Sequence, residues 1–146
     1  KERRFKMEPK FDPVRGANGW QISCLPVLSL APYLASVEMF NEIGMDAIIE
    51  KRNKITSYLE FIILEISKEV KGSFEIITPA NTNERGSQLS VLLHGEGRDL
   101  FDYLMANGVI VDWREPNVIR FAPAPLYCSF EDMYEFGQIL KRGILK

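Results

Sequence analysis

The stretch Asn117–Phe130, NVIRFAPAPLYCSF, places a single cation inside an apolar run, and the rest of the chain is interpreted around it. Arg120 lies between Ile119 and Phe121, and two prolines soon follow. Proline cannot donate to a sheet ladder, so the prolines predict that a strand ends here. Successive side chains of a strand point to opposite faces. If helices cover the face of Ile119 and Phe121, Arg120 lies on the open face of the sheet.

The guanidinium of Arg120 needs an anionic partner, because it is always charged and costly to bury alone. An arginine fork binds a carboxylate through two parallel hydrogen bonds. The residues leave two possibilities open: a carboxylate of the protein, which makes a structural ion pair, or the carboxylate of a ligand. Arg85, in the asparagine-rich loop PANTNERG, is a weaker candidate for the same role.

The pattern of apolar residues predicts an α+β fold. Residues 46–70 carry apolar side chains at spacings of three and four, which is typical of an amphipathic helix lying on a sheet. The expected inward side chains include Ile48, Ile55, Leu59, Ile62 and Ile66, and Gly72 is expected to end the helix. Further along the chain, the pattern predicts strands over 74–78, 87–93, 109–113 and 118–122, and helices over 98–106 and from a capping box at Ser129 onwards. This order predicts a small, mostly antiparallel sheet with helices on one face.

The N-terminal part of the chain has a different character. Residues 1–19 are rich in charge, proline and glycine and are expected to be extended, and residues 20–25 are expected to form a short strand or extended turn. A helix is predicted from Pro32 to Ile43, because proline suits a first helical turn. Its inward side chains are expected to be Leu34, Val37 and either Phe40 or Met39. The expected division of the chain is therefore a connecting segment over 1–43 and a compact domain over 44–146.

Composition and charge exclude several classes of function. The 146 residues have a net charge of -2 with no basic stripe or RNP-like motif, which argues against nucleic acid as a partner. The apolar runs are too short to span a bilayer. One histidine, His94, cannot build a zinc site, so no metal is expected.

Two cysteines, Cys24 and Cys128, form no disulfide framework and indicate free thiols in a reducing, cytoplasmic compartment. The chain begins without Met inside a charged stretch, which suggests a fragment of a longer protein.

Four stretches of this chain resemble, in the same order, stretches of kynureninase, and the resemblance covers nearly all 146 residues. They are RFKM (4–7), GWQISCLP (19–26), ITPANTNERGSQL (77–89) and IRFAPAPLYCSF (119–130). The resemblance implies the C-terminal small domain of a homodimeric, pyridoxal-phosphate-dependent enzyme with the aspartate-aminotransferase fold, also called fold type I. It implies hydrolysis of L-kynurenine or 3-hydroxykynurenine to an anthranilate and L-alanine, in tryptophan catabolism and NAD biosynthesis.

The resemblance also implies roles for individual residues. Arg120 matches the arginine that holds the substrate α-carboxylate. Cys24 lies where the family usually has Asn, sometimes Thr, which binds the cofactor phosphate from the neighbouring subunit. A thiol is a weak donor, so this departure weakens the phosphate contact expected at Cys24 or transfers it to Ser23 or a backbone N–H. Residues 1–43 would belong to the end of the cofactor domain and a connecting helix.

The lysine that holds the cofactor covalently lies upstream in this family. None of the lysines here has a site-like apolar context; they stand at 1, 6, 10, 51, 54, 68, 71, 141 and 146. The chain alone is therefore expected to be inactive and to contain no catalytic residue. The alternatives are the small domain of another pyridoxal-phosphate enzyme, such as a cysteine desulfurase or an aminotransferase, or a non-catalytic α+β module that binds a ligand carboxylate through Arg120.

Overall fold

The computed structural model describes residues 6–7, 9–10, 12–21, 23–69, 74–95 and 97–145. The chain divides into two compact units, residues 1–42 and residues 43–146. Whether the first unit belongs to a cofactor domain is a prediction that the fold does not test.

Within its described residues, the larger unit contains a sheet of four antiparallel strands in the order β1-β2-β4-β3. The strands are β1 (Phe74–Ile76), β2 (Leu89–Leu93), β3 (Asp112–Arg114) and β4 (Val118–Phe121). The last two form a hairpin, and β4 lies in the middle of the sheet, paired with both β2 and β3. The predicted antiparallel sheet is confirmed.

Three helices cover one face of this sheet: α2 (Met45–Glu69), α3 (Arg98–Ala106) and α4 (Phe130–Ile144). They follow α1 (Val27–Ile43). A single core joins them to the sheet, because every second residue of β2 and β4 points toward the helices. The core residues are Ile55, Leu59, Ile63, Ile66, Phe74, Leu89, Val91, Leu93, Leu104, Ile119, Phe121, Met133, Phe136 and Leu140. The α+β architecture with helices on one face is therefore as expected.

The start of α4 shows how local sequence fixes an element. The hydroxyl of Ser129 accepts from the backbone N–H of Asp132, and the carboxylate of Asp132 accepts from the backbone N–H of Ser129 at 2.7 Å. This reciprocal capping box satisfies donors that no helical carbonyl can reach. Hydrogen bonds that the Asp132 carboxylate accepts from Ser129, first from its backbone N–H and then from its side chain, lower the pKa of Asp132.

The N-terminal unit departs from the sequence prediction. Residues 17–20 form a 3-10 helix, which was not predicted. The described residues that follow, 21 and 23–25, form no strand, so of the two alternatives predicted for 20–25 the extended turn is the one compatible with the structure. Helix α1 begins at Val27, so Pro32 lies inside it rather than at its first position. None of its residues is buried, and the side chains predicted to face a core are exposed: Leu34, Val37, Met39 and Phe40.

Smaller differences concern the ends of elements. The strand predicted over 109–113 is β3 at 112–114, shifted toward the hairpin, and β2 begins at Leu89 rather than residue 87. On α2 the fully buried position is Ile63, whereas Ile62, predicted to face the core, is half-buried. The glycine expected to end α2 lies outside the described residues.

Candidate carboxylate-binding site

Arg120 lies on the open face of the sheet. Its neighbours along β4, Ile119 and Phe121, are buried beneath the helices, so the alternation of the strand directs the guanidinium away from the core. The Arg120 side chain retains 30% of its exposure. The predicted orientation is confirmed, and the guanidinium can be reached from solvent.

Asp112 and Arg114 of the neighbouring strand share this face with Arg120. The backbone register places Asp112 directly opposite Arg120. The carboxylate Oδ2 of Asp112 accepts from Nη2 of Arg120, and it also lies 3.0 Å from Nε of Arg114. The anionic partner required by the charge of Arg120 is therefore a carboxylate of the protein, which was one of the two possibilities left open by the sequence.

This ion pair does not satisfy Arg120. Two cations share one carboxylate, so the trio of Asp112, Arg114 and Arg120 keeps a net positive charge. Nε of Arg120 is buried and has no hydrogen-bond partner among the residues that the structure describes. A buried donor without a partner loses hydration without compensation. The trio is thus a site with residual positive charge on an open face, where an anion would be stabilised.

The sequence interpretation missed Asp112 and Arg114. Their spacing could have indicated them. Asp112 and Arg114 are separated by one residue in the strand before the turn, so their side chains lie on the same face of that strand, and the hairpin pairs that strand with β4. Choosing the face required the register, which depends on the turn at residues 115–117.

Arg85 has a structural partner. Its side chain is only 2% exposed, and its Nη2 donates to the Glu60 carboxylate on α2 at 2.5 Å. Its Nη1 donates to the carbonyl of Pro79 at 3.2 Å. Arg52 of α2 donates to the carbonyl of Thr82 in the same loop at 3.2 Å. Arg85 thus fastens the 79–86 loop to α2 and lies under the loop rather than on the open sheet face.

Ser23 and Cys24, expected at a cofactor phosphate, are both exposed in the N-terminal unit. Cys128 is half-buried and packs against the core, as a small apolar side chain does. His94 is exposed, with Nε2 3.9 Å from a carboxylate oxygen of Glu75.

Three of the described lysines lie in ion pairs at the protein surface. Lys54, Lys68 and Lys141 each pair with a glutamate at the protein surface. Within the described ranges, no group of His, Cys, Asp and Glu is arranged to hold a metal ion, and no helix is long and apolar enough to cross a membrane.

A groove of about 350 Å³ lies between α4 and the segment that leads into β3. Its lining includes Phe121, Cys128 and Phe136, which belong to the helix side of the sheet. It is mainly apolar and does not include Arg120, so the electrostatic site and this groove are separate features.

Comparison with known proteins identifies the class of domain. Residues 48–140, more than half of the chain, match the family model described as the kynureninase C-terminal domain. The chain belongs to the kynureninase family. It is 80% identical over 145 residues to the kynureninase of Flavobacterium johnsoniae and 77% identical over 146 residues to that of Flavobacterium psychrophilum. It is 43% identical over 137 residues to the kynureninase of Koribacter versatilis.

These matches cover nearly all of this chain but only part of each relative. They span 99%, 100% and 94% of the chain, and 34%, 34% and 32% of the respective relatives. The chain thus spans about a third of the length of the curated relatives it matches. The family resemblance seen in the sequence is confirmed, and the small α+β sheet with its helices is the fold of a kynureninase C-terminal domain.

Proposed function

We propose that this chain is the C-terminal domain of a pyridoxal-phosphate-dependent hydrolase that cleaves L-kynurenine, or 3-hydroxykynurenine, to an anthranilate and L-alanine. The reaction would belong to tryptophan catabolism and NAD biosynthesis, in a cytoplasmic homodimer. The chain contributes Arg120 as the group that binds the substrate α-carboxylate. The covalent lysine comes from the part of the enzyme that this chain does not span, so the chain by itself is inactive.

The observation that carries the role of Arg120 is its incomplete pairing on an open face. Asp112 engages Nη2 alone, and Arg114 draws on the same carboxylate. A substrate carboxylate would complete the charge balance of the trio and satisfy donors that the protein leaves available. A substrate whose carboxylate is held by hydrogen bonds from Arg120 cannot rotate freely, and this restriction aligns the bonds that react. Pyridoxal phosphate, when bound, supplies the electron sink for bond cleavage.

Ser23 and Cys24 are proposed to face the cofactor phosphate. Both are exposed in the N-terminal unit, which is compatible with contacts to parts of the enzyme outside this chain. The hydroxyl of Ser23 is the better donor of the two, because a thiol donates weakly. We also assign residues 1–43 to the end of the cofactor domain and the connecting helix, because the exposure of this segment is compatible with contacts to parts of the enzyme outside this chain.

The test of the Arg120 role is Arg120→Lys in the full-length enzyme. An ammonium cannot reproduce the planar fork, so kcat/KM for L-kynurenine should fall by about tenfold to a hundredfold, mainly through KM. Arg142→Lys is the matched control, because Arg142 is exposed on α4 and away from the sheet face. Unchanged kinetics of Arg120→Lys would refute the proposal that Arg120 binds the substrate α-carboxylate.

The choice of reaction is tested separately with a panel of substrates. The full-length enzyme should release anthranilate from L-kynurenine, measured by fluorescence, and should not release sulfur from cysteine. Turnover of cysteine without turnover of kynurenine would contradict the proposed activity, whatever the outcome at Arg120. Comparing kcat/KM for L-kynurenine and 3-hydroxykynurenine then decides between the two substrates.

A further inference from the structure

Ser90 of β2 is the neighbour of Arg120 on the side away from Asp112. The register of β2 and β4 pairs Ser90 directly with Arg120. Ser90 is half-buried, whereas Leu89 and Val91 on either side of it are buried in the core, so its side chain lies on the same open face as the guanidinium. Directly opposed residues on one sheet face have Cβ atoms about 5 Å apart. A group bound at Arg120 would therefore be within reach of Ser90.

The backbone of Ser90 is held at two points. Its N–H donates to the hydroxyl oxygen of Thr78 at 2.8 Å, and its carbonyl accepts from the N–H of Ile77 at 3.0 Å. These bonds extend the pairing beyond the last residue of β1. The direction of the Ser90 side chain is therefore set by the sheet, not by a mobile loop.

The hydroxyl of Ser90 is oriented by Gln88. The amide Nε2 of Gln88 donates to Oγ of Ser90 at 3.0 Å. A serine hydroxyl has one proton to donate in addition to its acceptor lone pairs. With a lone pair occupied by the Gln88 amide, the Ser90 proton remains available to an acceptor on the open face.

The charges on the two sides of Arg120 favour this side for an anion. On the β3 side, the Asp112 carboxylate would repel a second carboxylate at close range. On the β2 side, the residue directly opposite Arg120 is Ser90, a neutral donor, whereas the Glu75 carboxylate of β1 lies one strand further away and opposite Leu92. A bound carboxylate is thus directed toward Ser90 by repulsion as well as by attraction.

We propose that Ser90 is a second donor to the substrate carboxylate: the guanidinium of Arg120 binds one or both oxygens, and the hydroxyl of Ser90 donates to one of them. Gln88 is a positioning residue that acts only through Ser90. This inference rests on the proposed role of Arg120. It concerns binding, so it predicts an effect on affinity for carboxylates and little effect on the chemical steps.

The test uses Ser90→Ala and Ser90→Thr in the full-length enzyme. Loss of a hydrogen bond to a charged group should raise KM for L-kynurenine about tenfold, with kcat within about twofold of the parent enzyme. The inhibition constant of L-alanine, which carries the same carboxylate, should rise by a similar factor. Ser90→Thr keeps a hydroxyl and suits a strand, so KM should return to within about threefold of the parent value.

Gln88→Ala provides a variant that leaves the Ser90 hydroxyl in place. It should raise KM by a smaller factor of about three, and it should add nothing to Ser90→Ala, because Gln88 has no further role once the hydroxyl is absent. Additive effects of Gln88→Ala and Ser90→Ala on KM would contradict the positioning role. A KM for Ser90→Ala within about twofold of the parent, or no recovery in Ser90→Thr, would overturn the proposal.

The failure of this inference can be told apart from failure of the proposed function. If Arg120→Lys raises KM and Ser90→Ala does not, only the second donor is refuted. If neither variant changes KM or inhibition by L-alanine, the carboxylate does not bind on this sheet face, and both proposals fail.

Discussion

The buried pair of Arg85 and Glu60 makes a sharp prediction about stability. Changing Glu60→Gln keeps the shape of the side chain but removes its charge. The Arg85 guanidinium, 2% exposed, would then be a buried cation without its counter-ion. Since the loop over Arg85 excludes water, the guanidinium cannot recover its hydration without moving the loop.

The size of the effect follows from the surroundings of the pair. Removing one partner of a buried ion pair destabilises proteins by about 3–5 kcal/mol. Two features of this site reduce the figure: Glu60 retains 19% exposure, and Arg85 still donates to the carbonyl of Pro79. We therefore expect Glu60→Gln to lower the free energy of unfolding by about 2–3 kcal/mol.

Denaturant unfolding followed by circular dichroism measures this loss. The matched control is Glu65→Gln on the same helix, whose partner Lys68 is exposed; surface pairs of this kind contribute about 0–1 kcal/mol. The double variant Glu60→Gln with Arg85→Met should be more stable than Glu60→Gln alone, because it removes the uncompensated cation. A Glu60→Gln variant as stable as the Glu65→Gln control, or a double variant less stable than Glu60→Gln, would refute the reasoning.

Two further predictions concern α4. A Cβ at Gly137 would lie 2.7 Å from Cγ2 of Ile62 on α2, so Gly137→Ala should lower the free energy of unfolding by about 1–2 kcal/mol despite the better helix propensity of alanine. The control in the same unfolding assay is Gly86→Ala, because Gly86 has open space around it. Equal stabilities of the two variants would contradict the close packing at Gly137. The lowered pKa of Asp132 means that its hydrogen bond from Ser129 stabilises the fold fully above the ordinary carboxyl pKa and is lost as pH falls through the lower folded value. Asp132→Asn should therefore lose stability at neutral pH and show a shallower decline in acid, which a series of unfolding curves between neutral and acid pH would test; parallel curves would exclude this linkage.

Local sequence predicted the large unit well because its patterns are strong and agree with one another. The apolar spacing of α2, the alternation in β2 and the capping box of α4 each specify one element. The orientation of Arg120 was predictable for the same reason: alternation in a strand leaves only two faces, and the apolar neighbours choose the inner one.

Other parts could not be obtained from local pattern. The partners of Arg120 and Arg85 come from strands and helices distant in sequence, so their identity depends on register and packing. In α1, the prediction placed an inward stripe on a helix in which none of the residues is buried. Its apolar residues lie all round the helix, so periodicity could not identify a buried face.

The register between β2 and β4 ties recognition to correct folding. A shift of β4 by one residue would turn Arg120 into the apolar core and bring Ile119 out to water, because the side-chain period of a strand is two. Such a slip would be severely destabilised by the buried charge. The register that buries the apolar residues of β4 is therefore the same register that places Arg120 on the open face. A chain with shifted strands would be too unstable to fold, so a folded domain with a misplaced Arg120 is not expected.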